Sequence, residues 1–283
     1  EYGNAVSGVF DMRMRNGNNQ KFEHTFQAGI LGLDFASEGP LSKKHNASYI
    51  FNYRYSTTSL LGKLGGEVEN GSKIDYQDLN FKFNFPTRNA GVFSVWATAL
   101  IDDYKQNPDE DKNKWESIDD GGISKSDQTM AAGGITHRYF FGNNAQWKST
   151  IAATYSKGKA YIDMKDYDDN VTPYMTSSNR YTNLIFKSSF NKKFSSRFTN
   201  MTGFTYTKLL YRMNFNLAPH IGYDLDNISH GDGNTDLISA YNSSLIGLSD
   251  KVDLSVGVNT QMMTLNNEWT VEPRASLRWQ ASD

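Results

Sequence analysis

The residues with the greatest capacity for chemistry are carboxylates crowded into two polar stretches. One holds Asp102, Asp103, Asp109, Glu110, Asp111, Asp119 and Asp120; the other holds Asp163, Asp166, Asp168 and Asp169. Oxygen-rich clusters of this kind bind hard cations such as calcium. Neither follows the spacing of a calcium-binding loop, and Lys105, Lys112, Lys114, Lys157, Lys159 and Lys165 are interleaved or adjacent. Solvated loop charge is therefore the better reading. A third stretch, 224–236, contains Gly231-Asp232-Gly233-Asn234, which suits a tight turn more than a metal site.

The histidines are His24, His45, His137, His220 and His230, and no pair has zinc-ligand spacing within a strand or helix. The chain has no cysteine, which removes disulfides, thiolate metal sites and cysteine nucleophiles. No Gly-x-Ser-x-Gly or comparable nucleophile context occurs. The expectation is a protein that is not an enzyme, with no cofactor and no metal. Binding is easier to build. Tyr104, Trp115, Tyr161, Tyr167, Tyr174, Tyr211, Tyr223 and Trp269 fall in polar stretches, where aromatic rings could stack on a ligand. The competing reading is that they pack those stretches into a compact cap.

The elements that must position these residues are strands. Tyr49, Phe51, Tyr53 and Tyr55 alternate with Ser48, Asn52, Arg54 and Ser56. Leu79, Phe81, Phe83 and Phe85 oppose Asp78, Asn80, Lys82 and Asn84; Val252, Leu254, Val256 and Val258 oppose Asp253, Ser255, Asn259 and Gln261. Pro273, Ala275, Leu277 and Trp279 likewise oppose Glu272, Arg274, Ser276, Arg278 and Gln280. A period of two means one apolar and one polar face. Weaker alternation near 22–36, 92–101, 131–140, 146–156, 181–190, 197–206 and 237–246 brings the total to about eleven strands of barrel-spanning length.

The links between them alternate in length. Short ones fall at 42–46, 86–90, 142–145, 191–196 and 249–251, with long ones at 57–77, 102–129, 157–179, 207–235 and 262–270. Outer-membrane barrels keep tight turns on one side and long connections on the other. Aromatics cluster to match: Phe85, Tyr139, Phe140, Phe141, Trp147, Phe190, Phe194, Phe198 and Trp279 by the short turns, and Tyr55, Tyr155, Tyr181 and Tyr206 towards the long links. Composition agrees. Sixteen Tyr and seventeen Phe accompany only 38% hydrophobic residues and a mean hydropathy of −0.61. A barrel with a polar lumen accommodates that combination better than a soluble core. A net charge of −2 gives no support to nucleic-acid binding.

The first residues stand apart. Tyr2-Gly3, Ala5 and Gly8-Val9, followed by Phe10-Asp11-Met12-Arg13-Met14-Arg15, resemble the closing segment of the plug of TonB-dependent outer-membrane receptors. In the common form that strand runs Val-Ile-Asn-Ile, then Thr-Lys. The variant is most similar to receptors of Bacteroidetes-type bacteria with an N-terminal carboxypeptidase-regulatory-like domain. Glu23-His24-Thr25-Phe26-Gln27-Ala28-Gly29 and Asn52-Tyr53-Arg54-Tyr55-Ser56-Thr57 fit their first two barrel strands. It is less similar to the glycan-importing branch that pairs with surface lipoproteins.

The resemblance implies an all-β fold: an antiparallel transmembrane β-barrel fragment, about 11 of roughly 22 strands, preceded by the last strand of a plug domain. Residues 1–18 would end the plug and 19–283 would form the N-terminal half of the barrel. It implies active import of a scarce nutrient (siderophore, haem, glycan or peptide) across the cell outer membrane. The implied partners are outer-membrane lipid, the TonB complex acting through an N-terminal segment, a nutrient ligand and, in some branches, a surface lipoprotein. The chain is expected to be a piece of a longer protein of about threefold its 31.9 kDa. Rival readings are a passive porin or adhesin barrel, and a soluble β-sandwich that binds carbohydrate.

Overall fold

The computed structural model describes residues 11–29, 32–57 and 72–281. The strands are β1 (Glu23–Gly29), β2 (Gly32–Ser42), β3 (Ala47–Thr57), β4 (Lys73–Pro86), β5 (Val92–Gln106) and β6 (Gly122–Phe141). They continue as β7 (Ala145–Lys165), β8 (Val171–Ser195), β9 (Phe198–Leu217), β10 (Asp226–Ser249), β11 (Val252–Met263) and β12 (Glu268–Trp279). All belong to one antiparallel sheet in strictly sequential order. This is the meander expected of an outer-membrane barrel wall.

One expected strand is two. The alternation near 22–36 folds back on itself, with Gly29 opposite Gly32 and Glu23 opposite Glu38. Gly32 has φ +148°, and a side chain there would strike the Tyr55 carbonyl, so glycine is required where β2 begins against β3. The described strands therefore number twelve.

The register sorts side chains onto two faces. Leu33, Phe35, Tyr53, Tyr55, Leu79, Phe81 and Phe83 share one face and continue into Val95, Ala97, Ile135, Ile151, Phe186 and Tyr206. The face ends in Leu254, Val256, Leu277 and Trp279. The other face carries Asp34, Asn52, Arg54, Asp78, Asn80, Ser94, Thr98, Thr136, Thr150, Lys187 and Asn259.

Among the described residues nothing covers the apolar face. Ile151 is 66% exposed, Leu277 64% and Trp279 69%. The accessible surface is 18388 Å², against about 12,000 Å² for a compact soluble chain of this mass. A β-sandwich would have buried that face in a second sheet.

Rings line the short-turn end of the apolar face. Phe93 stacks on His137 at 4.4 Å, Tyr139 meets Phe141 at 4.8 Å, Phe141 meets Phe190 at 6.1 Å, and Phe194 stacks on Phe198 at 5.2 Å. Trp147 sits opposite Tyr139 and Phe190 in this girdle. Tyr55, Tyr155 and Tyr206 lie further along the same face. Two of the expected belt aromatics, Phe140 and Tyr181, have the other parity and fall on the polar face.

The long links are mostly strand. β6–β10 run 20 to 25 residues, roughly 65–80 Å at ~3.3 Å per residue, whereas an apolar band needs only about 25 Å. The stretch 157–179 shrinks to a connection at 166–170, 207–235 to one at 218–225, and 262–270 to one at 264–267. Beyond the apolar band both faces are polar, so the period-two signal vanishes while the backbone ladder continues. The stretch 58–71 lies outside the described residues.

Candidate plug contact and ligand-facing wall

The polar face is a cross-linked lattice of small hydrogen-bonding side chains. Asn52 Nδ2 donates to Asp34 at 3.1 Å, and Arg54 Nε to Asp78 at 2.7 Å. Asn80 donates to Asp78 at 3.2 Å and accepts from Thr98 Oγ1 at 2.6 Å. Trp96 Nε1 donates to Thr136, whose hydroxyl lies 3.1 Å from that of Thr150, and Asn183 donates to Thr154 at 2.9 Å. Arg54 also lies over the ring of Tyr76, 5.1 Å from its centre. Alternation puts one such group on every second residue, and the register aligns them in rows.

The N-terminal segment runs against this face. Glu38, on β2, accepts from Arg15 Nη1 at 2.6 Å, Arg15 Nη2 at 2.5 Å and the Asn18 backbone N–H at 2.7 Å. Lys82, on β4, donates to the Met14 carbonyl at 2.9 Å. A side chain on Gly17 would overlap the Tyr49 carbonyl, so the segment passes hard against the β3 backbone. Arg13 pairs with Asp11 in its own segment. Asp11–Asn18 are not part of a strand. Tyr2, Gly3, Ala5, Gly8 and Val9 of the plug-like motif lie outside the described residues.

Basic side chains collect on the same face towards the short turns. Arg138 is directly opposite Lys148, and Thr150 opposite Lys187, with Lys82 two strands away. Arg274 and Arg278 share the parity on β12, while Arg197 sits at a turn and pairs with Asp250 at 3.0 Å. A guanidinium and ammonium wall of this kind attracts anionic cargo or plug carboxylates. The alternation read from the sequence already places Lys82, Arg274 and Arg278 on the polar side of their strands.

At the long-strand end, two of the candidate ligand aromatics come together away from any open wall. Trp115 is 9% exposed, packs on Tyr167 at 5.5 Å and donates to the Asp109 carbonyl at 3.0 Å. Lys112 ties the same cap, donating to the Tyr167 carbonyl at 2.8 Å and pairing with Asp169 at 2.8 Å. Tyr211 and Tyr104 face the polar side. Tyr211 lies opposite Tyr181 and against Gly233, and Tyr104 donates to Gln106 at 2.6 Å. Tyr161 and Trp269 have the parity of the apolar face. Tyr223 is exposed in the 218–225 connection, edge-on to His220, and the Tyr174 carbonyl accepts from Ala218 N–H. Tyr76 and Trp96 are polar-face aromatics outside the ligand candidates read from the sequence, and Tyr181, expected in the lipid belt, joins that face; strand parity identifies all three.

The crowded carboxylates serve the backbone. Asp111 caps the 3-10 turn Lys112–Lys114, and Ser117 with Asp120 forms a capping box at Ile118–Gly121. Asp166 accepts from the Asp168 and Asn170 N–H groups and from the Asn170 side chain, which hold its carboxyl below the usual range. Asp169, between Lys112 and Lys165, is lowered to about 2. Among the described residues no three His, Asp or Glu side chains are grouped to hold a metal. His24, His137 and His230 make separate contacts with Ser37, the Ala90 carbonyl and Asn227.

No protein-family model and no curated protein sequence matches the chain. Solved structures do. The siderophore receptor PirA from Acinetobacter baumannii superposes with a TM-score of 0.55 at 13% identity, over 93% of this chain and 40% of its own. BauA, the ferric preacinetobactin receptor from the same organism, gives 0.56 at 11% identity, over 90% and 43%. The outer membrane transporter YddB from Escherichia coli gives 0.52 at 11% identity, over 88% and 36%. The chain thus spans about two fifths of the length of these proteins. At such identities the likeness is one of fold: an all-β antiparallel wall that corresponds to part of an outer-membrane barrel.

Proposed function

We propose that the intact protein is a TonB-dependent receptor of the outer membrane that imports a scarce nutrient. In this reading residues 1–18 end its plug and 19–283 form the N-terminal half of its barrel. The observation that carries the proposal is the segment at residues 14–18, held against the polar face by Glu38 and Lys82. An open, water-filled porin channel does not need a chain segment tied to the inside of its wall. A transporter that must stay shut until loaded does.

The wall determines what the barrel admits. Hydrogen-bonding rows, the Tyr181–Tyr211 pair at the long-strand end and cations nearer the short turns suit a polar, anionic cargo with a stackable ring or sugar. The solved structures similar to this chain include receptors for siderophores and ferric complexes, which makes a metal-chelate cargo the first class to test. The plug-like motif also favours the Bacteroidetes-type branch; a surface lipoprotein is a further candidate partner. The polar face supplies binding groups, and the proposal includes no catalytic step.

The test is uptake by the intact protein in a Gram-negative host stripped of its own receptors, with and without a functional TonB complex. Candidate ligands are ferric siderophores, haem, oligosaccharides and peptides. The proposal expects a detergent-extracted outer-membrane protein whose ligand uptake disappears without TonB. Uptake that persists without TonB would establish a passive barrel, and a protein soluble without detergent would exclude both.

A further inference from the structure

Three cations stand in one row on the apolar side of the sheet. Lys157 of β7 is directly opposite Arg180 of β8, and Arg180 is directly opposite Arg212 of β9. The register is uninterrupted from this row down to Ile151, Phe186 and Tyr206, so all three side chains share the lipid-facing parity. Adjacent strands lie ~4.8 Å apart, and like charges placed directly opposite one another are destabilising. The arrangement calls for a counter-anion.

No ion pair among the described residues includes Lys157, Arg180 or Arg212. Asp232 is opposite Arg212, and Asp127 is opposite Lys159, the next cation along β7, without forming ion pairs to them. Asp236, lower on β10, is taken by Lys208 and the Tyr206 hydroxyl. Arg180 and Arg212 are exposed. The row below holds Tyr155, Thr182 and Leu210, and the one below that Ala153, Leu184 and Lys208. The cations therefore stand just where the apolar band gives way to solvent, at the end of the sheet where the strands run longest.

We propose that Lys157, Arg180 and Arg212 form a docking site for the phosphate groups of a membrane lipid in the outer leaflet. An anionic headgroup at that depth meets three donors in a line, with the Tyr155 and Thr182 hydroxyls beneath them and its acyl chains along Ile151, Leu184 and Phe186. Guanidinium forks match phosphate oxygens two at a time. The site rests on reading the apolar face as lipid-facing, and it concerns the membrane rather than the imported cargo.

The test uses the intact protein in phosphatidylcholine nanodiscs, with and without bisphosphorylated lipid A, measuring lipid retained on the purified protein. Each cation near an anionic surface contributes about a factor of five, so the K157Q/R180Q/R212Q variant should bind lipid A about a hundredfold more weakly. Raising the salt concentration should narrow that difference. Lys125→Gln, on the same face but beside Asp163, should bind like the parent. Heat-modifiable electrophoretic mobility reports that each barrel is intact. If the triple variant does not fold, Arg180→Gln alone, with about a fivefold loss, decides. Equal retention by the parent and a folded variant would overturn the site. So would inorganic phosphate displacing lipid A from the parent at equal concentration. A protein that needs no detergent would instead overturn the membrane reading beneath it.

Discussion

Arg15 reaches Glu38 with both terminal nitrogens, at 2.6 and 2.5 Å, and so fastens the N-terminal segment to the barrel wall through a two-pronged ion pair. The Glu38 side chain is only 14% exposed, and the Asn18 N–H completes its shell. Removing the guanidinium therefore leaves a mostly covered carboxylate short of donors. We expect Arg15→Ala to raise hydrogen exchange across residues 14–18 of the intact protein by roughly fivefold, corresponding to about 1 kcal/mol. The exchanged pair Arg15→Glu with Glu38→Arg should recover part of the protection. Unchanged exchange in the single variant would mean that Lys82 and the close pass of Gly17 hold the segment without the ion pair.

Gly203 and Tyr241 give a second, purely steric relationship. They face each other across β9 and β10, and a Cβ on residue 203 would lie 2.4 Å from the Tyr241 ring, itself 4% exposed. The ring covers the glycine and is itself buried. Gly203→Ala should destabilise the protein by about 1–3 kcal/mol, the usual cost of overpacking, as measured by denaturant unfolding in detergent. Tyr241→Ala in the same chain should remove most of that added cost, since the two residues act on one contact. Additive losses would show that backbone, not the ring, limits the site.

The two faces predict opposite tolerance at adjacent positions. Ile151 projects from the apolar face and Thr150 from the polar face, where its hydroxyl meets that of Thr136. Arginine at the middle of a lipid-facing band costs about 2–4 kcal/mol, whereas a lumen position is far more permissive. Ile151→Arg should therefore lower folding stability in lipid by that amount, and Thr150→Arg by much less. Equal losses would argue that both faces are packed against protein.

This same contrast explains what could be read from sequence. β3, β4, β11 and β12 were legible because lipid on one side and polar surroundings on the other impose a strict alternation. In β7 the alternation fades after Tyr155, since Ser156, Lys157, Gly158 and Lys159 are all compatible with water, and residues 157–165 of the strand looked like loop. The Arg15–Glu38 contact and the Lys157–Arg180–Arg212 row were invisible for a different reason. Each depends on which strands neighbour one another and in what register, and no local pattern encodes that. The capping carboxylates misled in the opposite direction: Asp111, Asp120 and Asp166 cluster in sequence because short turns need acceptors for exposed N–H groups, not because they share a ligand.

The cap at the long-strand end offers a prediction in pH. Lys112 and Lys165 contact the Asp169 carboxylate at 2.8 and 2.6 Å and hold its pKa at about 2. Because the folded value lies below the unfolded one of about 3.9, the folded cap favours the charged form. Its contribution is complete above about pH 4 and is lost as pH falls through the folded value near 2. Lys112 also holds the Tyr167 carbonyl, and Tyr167 packs on Trp115, so release of Asp169 should loosen the tryptophan's surroundings. Acrylamide quenching of Trp115, in a protein whose other tryptophans are replaced by Phe, should stay constant down to about pH 4 and rise only below it. Asp169 has φ +68°, which asparagine tolerates as well as aspartate, so Asp169→Asn removes the charge without straining the turn. That variant should be more quenchable at neutral pH and should show no further Asp169-dependent rise on acidification. A rise in the parent already above about pH 5 would mean that another group, not this carboxylate between two lysines, controls the cap.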